Sequence, residues 1–131
     1  MRLGRSTAIA GLALGVAGCG TAHDRDAARD VAAGLYSAVA RHDGRAACRR
    51  LGPPTVDSLE QQAKAPCEKA VTDLQLHGGR IASVEVFQTD AMVQFAGGER
   101  AYLERRQGGW KVSAAGCKPQ PAGPAQCEVE D

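Results

Sequence analysis

The 131-residue sequence predicts an α+β fold, with N-terminal helices packed on a curved antiparallel sheet of about four strands. Two observations carry that expectation. Up to Leu74 the apolar residues recur at three- and four-residue intervals, the spacing of a helix with one buried face; after His77-Gly78-Gly79 they alternate, the spacing of a half-buried strand. The alternating runs are separated by short glycine-containing turns, which join antiparallel neighbours and are too short for the crossover a parallel pair needs. The length suits one domain, and with 4% aromatic residues its core must rely on Ala, Val and Leu.

The first 18 residues are expected to be a signal peptide and not mature structure. Arg2 and Arg5 precede an uncharged stretch from Ser6 to Val16, and Ala17-Gly18-Cys19 follows. Ser6 to Gly18 would rise about 20 Å as a helix, short of a bilayer core of about 30 Å. Val16-Ala17-Gly18-Cys19 resembles the bacterial lipobox, a branched apolar residue, two small ones and a cysteine. That resemblance implies a diacylglyceryl group on the Cys19 thiol and cleavage between Gly18 and Cys19. Two acyl chains hold a protein durably on a bilayer where one gives only reversible attachment. Residues 19–24 then read as a lipidated, flexible tether and 25–131 as a single α+β domain.

The first helix is predicted to begin near Asp24 or Asp26 and run to about His42, with Ala28, Val31, Leu35, Ala38 and Val39 on its buried face. Acids early (Asp24, Asp26, Asp30) and Arg41 late suit the helix dipole, and Asp43-Gly44 ends the helix. A short helix over 45–51 carries Cys48. Gly52-Pro53-Pro54 stops it, and Thr55 is placed to cap a helix reaching about Ala63. Pro66 opens a fourth helix on which Cys67, Ala70, Val71 and Leu74 share a face. The strands follow: Val84 and Val86; Ala91, Val93 and Phe95; Ala101, Leu103 and Arg105; Trp110, Val112 and Ala114, with Gly97-Gly98 and Gln107-Gly108-Gly109 as turns. Pro119, Pro121 and Pro124 make the tail an extended loop.

Of five cysteines, assigning Cys19 to lipid leaves four in an exported chain, where disulfides are the natural state. Three pairings are open. Local closure favours Cys48 with Cys67 and Cys117 with Cys127, each worth roughly 3 kcal/mol of loop entropy. The spacings contain no C-x-x-C pair and no histidine couple, so neither a zinc site nor a thiol-exchange motif is expected.

The order of elements resembles the cone-shaped fold of nuclear-transport-factor-like and ketosteroid-isomerase-like domains. Leu35-Tyr36-Ser37-Ala38, His42-Asp43-Gly44, Ala47-Cys48-Arg49, Gly108-Gly109-Trp110-Lys111-Val112 and Gly116-Cys117-Lys118-Pro119 with Cys127 resemble small lipoproteins of actinobacteria, over most of 26–131. The many Ala, Gly and Arg residues and the lack of Asn fit G+C-rich codons. This fold hosts isomerases, dehydratases and non-catalytic modules alike, so function has to be argued from the site.

Sixteen basic against 15 acidic side chains give a net charge of +1, which does not suit nucleic acid. His23, His42 and His77 have no partner at catalytic or metal spacing. Tyr36, Tyr102 and Trp110 are the candidate pocket residues, and Asp73 and Asp90 the conceivable acids. Arg49-Arg50 and Arg105-Arg106 suggest an anionic partner such as a lipid headgroup or wall polymer. Against that, adjacent residues diverge by about 100° on a helix and point to opposite faces of a strand. No phosphate loop or nucleophile elbow occurs. The expectation is a lipid-anchored domain on the extracytoplasmic face of the cell membrane, without catalytic residues, cofactor or metal. Its partners are the bilayer, through acylated Cys19, and a small ligand or envelope protein. The alternative is an envelope enzyme, isomerase- or dehydratase-like, using an acid–base pocket in the cone on a small apolar substrate.

Overall fold

The computed structural model describes residues 19–131; the segment expected to be a signal peptide, with Gly18, lies outside the described residues. The architecture is α+β, with helices first and then an open antiparallel sheet. The helices are α1 (Cys19–Ala40), α2 (Gly44–Cys48), α3 (Pro53–Ala63) and α4 (Cys67–Ala70), followed by a 3-10 turn at Val71–Asp73. The strands are β1 (Ile81–Phe87), β2 (Asp90–Phe95), β3 (Arg100–Arg106), β4 (Gly109–Cys117) and β5 (Val129–Glu130), in spatial order β1-β2-β3-β4-β5.

Ala28, Ala32, Leu35 and Val39 form one stripe of α1 and are buried against the sheet. Three- and four-residue steps put them on one side of the helix, which lies across β1 to β4. The facing layer is Val93, Phe95, Ala101, Leu103 and Val112, whose alternation follows the pleat. Burying a side chain such as Leu35 contributes about 2 kcal/mol. Residues 19–24, expected as a flexible tether, are helical and belong to α1. The run Thr21-Ala22-His23-Asp24 contains no Gly or Pro to stop the helix from extending upstream.

The helix ends differ from expectation. α1 stops at Ala40, and His42 adopts a left-handed conformation with φ 57°. Asp43 opens the next helix, its Oδ1 accepting the Ala46 N–H at 3.0 Å. Thr55 caps nothing; it is buried, and its hydroxyl donates to the carbonyls of Val112 and Ser113, each at 3.2 Å. α3 starts at Pro53 instead, the position where a missing N–H costs nothing.

Disulfides join Cys48 to Cys67 and Cys117 to Cys127. The first ties α2 to α4, which approach so closely that a Cβ on Gly44 would overlap the Glu68 carbonyl. The second closes the proline-rich loop, which also pairs Lys118 with Gln126 through both backbone bonds. The chain then returns along β4 as a fifth strand, Val129 opposite Ala115 and Glu130 opposite Ala114. Four strands were expected because β5 is two residues long and follows three prolines. Residues 50–52 cover the same flank of β4 further along: Val112 N–H donates to the Arg50 carbonyl at 2.8 Å, and Gly52 N–H to the Val112 carbonyl at 2.9 Å. Among the described residues no helix is long and apolar enough to cross a membrane.

Candidate functional site

Side chains of alternating residues share a sheet face, so Glu99, Ala101, Leu103 and Arg105 share the face of β3 turned toward α1. Its middle is apolar and its ends carry opposite charges. Each end organises a polar cluster.

At the Glu99 end the carboxylate is buried, with 6% of the residue exposed. Its Oε2 accepts the backbone N–H groups of His77 and Gly78 at 3.2 and 3.3 Å. Oε1 lies 3.5 Å from His77 Nδ1, an ion pair only when the imidazole is protonated, and has no hydrogen-bond partner among the described residues. Beside it, Tyr36 is 8% exposed, packs its ring on Phe95 with centroids 4.3 Å apart, and accepts the Gly116 N–H at 3.0 Å. Burial pushes the phenol above its ordinary range; the Gly116 N–H pulls the other way and the Glu99 carboxylate adds to the rise. A cleft of about 280 Å³ opens over Tyr36, His77 and Phe95.

At the Arg105 end the guanidinium lies over the Trp110 ring, 4.6 Å from its centroid, and pairs with Asp24 of α1 at 2.7 Å. Trp110 is 5% exposed, and its indole N–H is shut off from solvent with no acceptor among the described residues. A cleft of about 380 Å³ lies here. Ala27 and Val31 of α1 contribute apolar surface to it, and Arg49, Arg50 and Lys111 line it with Arg105. Arg50 donates to the Ala46 carbonyl at 2.9 Å and packs where Gly34 of α1 lacks a side chain. Lys111 donates to the Arg49 carbonyl at 2.6 Å, which brings β4 against the end of α2.

The structure therefore separates the three residues read as one candidate pocket. Tyr36 belongs to the first cluster and Trp110 to the second. Tyr102 stands opposite Met92 and Ala114 and alternates with buried Ala101 and Leu103, so it is on the other sheet face. Neither conceivable acid reaches Tyr36. Asp73 is exposed on its 3-10 turn, and Asp90 is exposed at the β1–β2 hairpin, bonded by Thr89 at 3.3 Å. The carboxylate beside Tyr36 is Glu99, which sequence reasoning passed over as the residue after a glycine turn; its parity with Ala101 was the available signal. Among the described residues no group of three His, Cys, Asp or Glu side chains is placed to hold a metal ion. Compared with protein-family models, curated proteins and solved structures, the chain matches none.

Proposed function

We propose that this chain is a lipid-anchored, extracytoplasmic binding module of the cell envelope, non-catalytic, with the cone-shaped organisation its element order resembles. The observation that carries the reading is a lipobox-like run at Val16–Cys19 in a chain with two disulfides, bonds that persist in oxidising compartments. Both polar clusters hold loops and helix ends against the sheet, and a small ligand or a neighbouring envelope protein is the partner such a surface suits. The test is metabolic labelling with an alkyne fatty acid in the native host. Labelling of the natural chain, lost in Cys19→Ala together with membrane recovery, is the expected result. Equal labelling of both forms, or five reduced thiols in a cytosolic fraction, overturns the reading.

One observation favours the alternative of an envelope enzyme acting on a small apolar substrate. Glu99 and Tyr36 bring a buried carboxylate and a hydroxyl to one cluster, as acid–base chemistry requires. Turnover of a small ketone or hydroxy compound by the purified chain, lost in Glu99→Gln with the fold retained, would establish it; unchanged turnover in that variant would remove Glu99 from any mechanism.

A further inference from the structure

We propose that the cleft beside Trp110 is an anion-binding site for a phosphoryl group. Four cationic side chains, Arg49, Arg50, Arg105 and Lys111, line it against one carboxylate, Asp24, in a chain whose net charge is only +1. The cleft thus carries a local surplus of positive charge beside apolar walls, which strengthens its field toward an anion. The cations are not equivalent. Arg105 is committed to Asp24 and the indole face, and Arg50 to the Ala46 carbonyl. The Arg49 guanidinium has no partner among the described residues, and Lys111 spends one of its three N–H groups on the Arg49 carbonyl.

Trp110 and the apolar side chains of Ala27 and Val31 also line the cleft, so its cations stand beside apolar walls. Arg49, Arg50, Arg105 and Lys111 give the cleft many more N–H donors than its one carboxylate, Asp24, can satisfy. A tetrahedral phosphoryl group supplies several acceptor oxygens and a negative charge, and it fits a guanidinium in a two-pronged contact.

The site stands on described residues alone and holds whether or not Cys19 is acylated. Its position bears on the source of the phosphoryl group. Asp24, at the cleft, is five residues along α1 from Cys19, about 8 Å at 1.5 Å per residue. An acylated Cys19 would hold the cleft at the depth of bilayer headgroups; a free phosphorylated compound is the other source.

Trp110 is the sole tryptophan, so intrinsic emission reads this cleft directly. The full chain carrying Cys19→Ser, which removes any acyl tether, is titrated with inorganic phosphate, with phosphatidylcholine vesicles, and with vesicles that also contain phosphatidylglycerol. Equilibrium dialysis and vesicle flotation provide direct binding in parallel. The expected result is saturable binding to phosphate, to the anionic vesicles or to both, weakened about tenfold or more in Arg49→Ala/Lys111→Ala with unchanged circular dichroism. Binding to phosphate without preference for anionic vesicles assigns a soluble phosphorylated ligand; binding to anionic vesicles alone assigns a headgroup. Absence of saturable binding by every readout, or equal binding in the double variant, overturns the proposal. Loss of acylation in the Cys19→Ala labelling experiment leaves these titrations unaffected, so the two readings fail separately.

Discussion

Replacing Tyr36 by Phe removes one oxygen and keeps the ring that packs on Phe95, so no cavity forms. What is lost is the acceptor of the buried Gly116 N–H. An unpaired buried donor costs about 1–3 kcal/mol. At roughly 4–8 °C per kcal/mol for a domain near 100 residues, the melting temperature falls by at least several degrees. Urea denaturation of the full chain with both disulfides intact is the assay; the midpoint should drop with unchanged slope. Alkaline pH supplies a second arm. The folded phenol holds its proton above the ordinary value of 10.0, whereas the unfolded one releases it. The stabilisation is therefore fully present below pH 10 and is lost as pH rises beyond it, by up to about 1.4 kcal/mol per pH unit. Tyr36→Phe should lack this component of the alkaline slope. Tyr102→Phe, whose hydroxyl has no hydrogen-bond partner among the described residues, should stay within about 0.5 kcal/mol of the natural chain. A Tyr36→Phe shift below about 0.5 kcal/mol, or an alkaline slope equal to that of the natural chain, would refute the assignment of this hydroxyl.

Gly34→Ala should stabilise α1 by about 1 kcal/mol in an Arg50→Ala background and clearly less in the natural chain, because the new Cβ overlaps the Arg50 guanidinium; a double-mutant cycle by urea denaturation measures the difference, and additivity would contradict the packing. Gly44→Ala should cost more than about 1 kcal/mol, since its Cβ meets the Glu68 carbonyl, a backbone atom that cannot rotate away; a neutral thermal melt would contradict the close approach of α2 and α4. Replacing either cystine by a serine pair should cost about 3 kcal/mol in denaturant midpoints, given closed loops of 19 and 10 residues; a change under 1 kcal/mol for both would remove the loop-entropy argument.

The helices-then-sheet layout was legible because each half of the chain keeps a single apolar period, and glycine pairs mark the hairpins. Helix starts were less legible. Thr55 has the chemistry of a cap, yet its hydroxyl serves two β4 carbonyls, a partnership across 57 residues that no local pattern reveals. The candidate site was half legible. Adjacent arginines were expected to diverge, and Arg105 and Arg106 do: Arg106 turns to Glu104 at 2.8 Å while Arg105 covers Trp110. Arg49 and Arg50 nevertheless line one cleft, just past the end of α2 at Cys48. Glu99 was missed because a charge at the start of a strand ordinarily reads as solvent-facing, and only the fold shows the Tyr36 and His77 segments meeting it.

The two flanks of the sheet have unequal consequences for self-association. On β4 the hydrogen-bonding groups of the outer side are already engaged by residues 50–52 and by β5, whereas β1 pairs with β2 alone among the described strands. Growth of a fibril by strand addition requires a receptive side at each end of every subunit. β5, the other edge, is only two residues long and offers little to a further strand, so a molecule receptive mainly along β1 favours, under crowding, an end-stopped couple over a polymer.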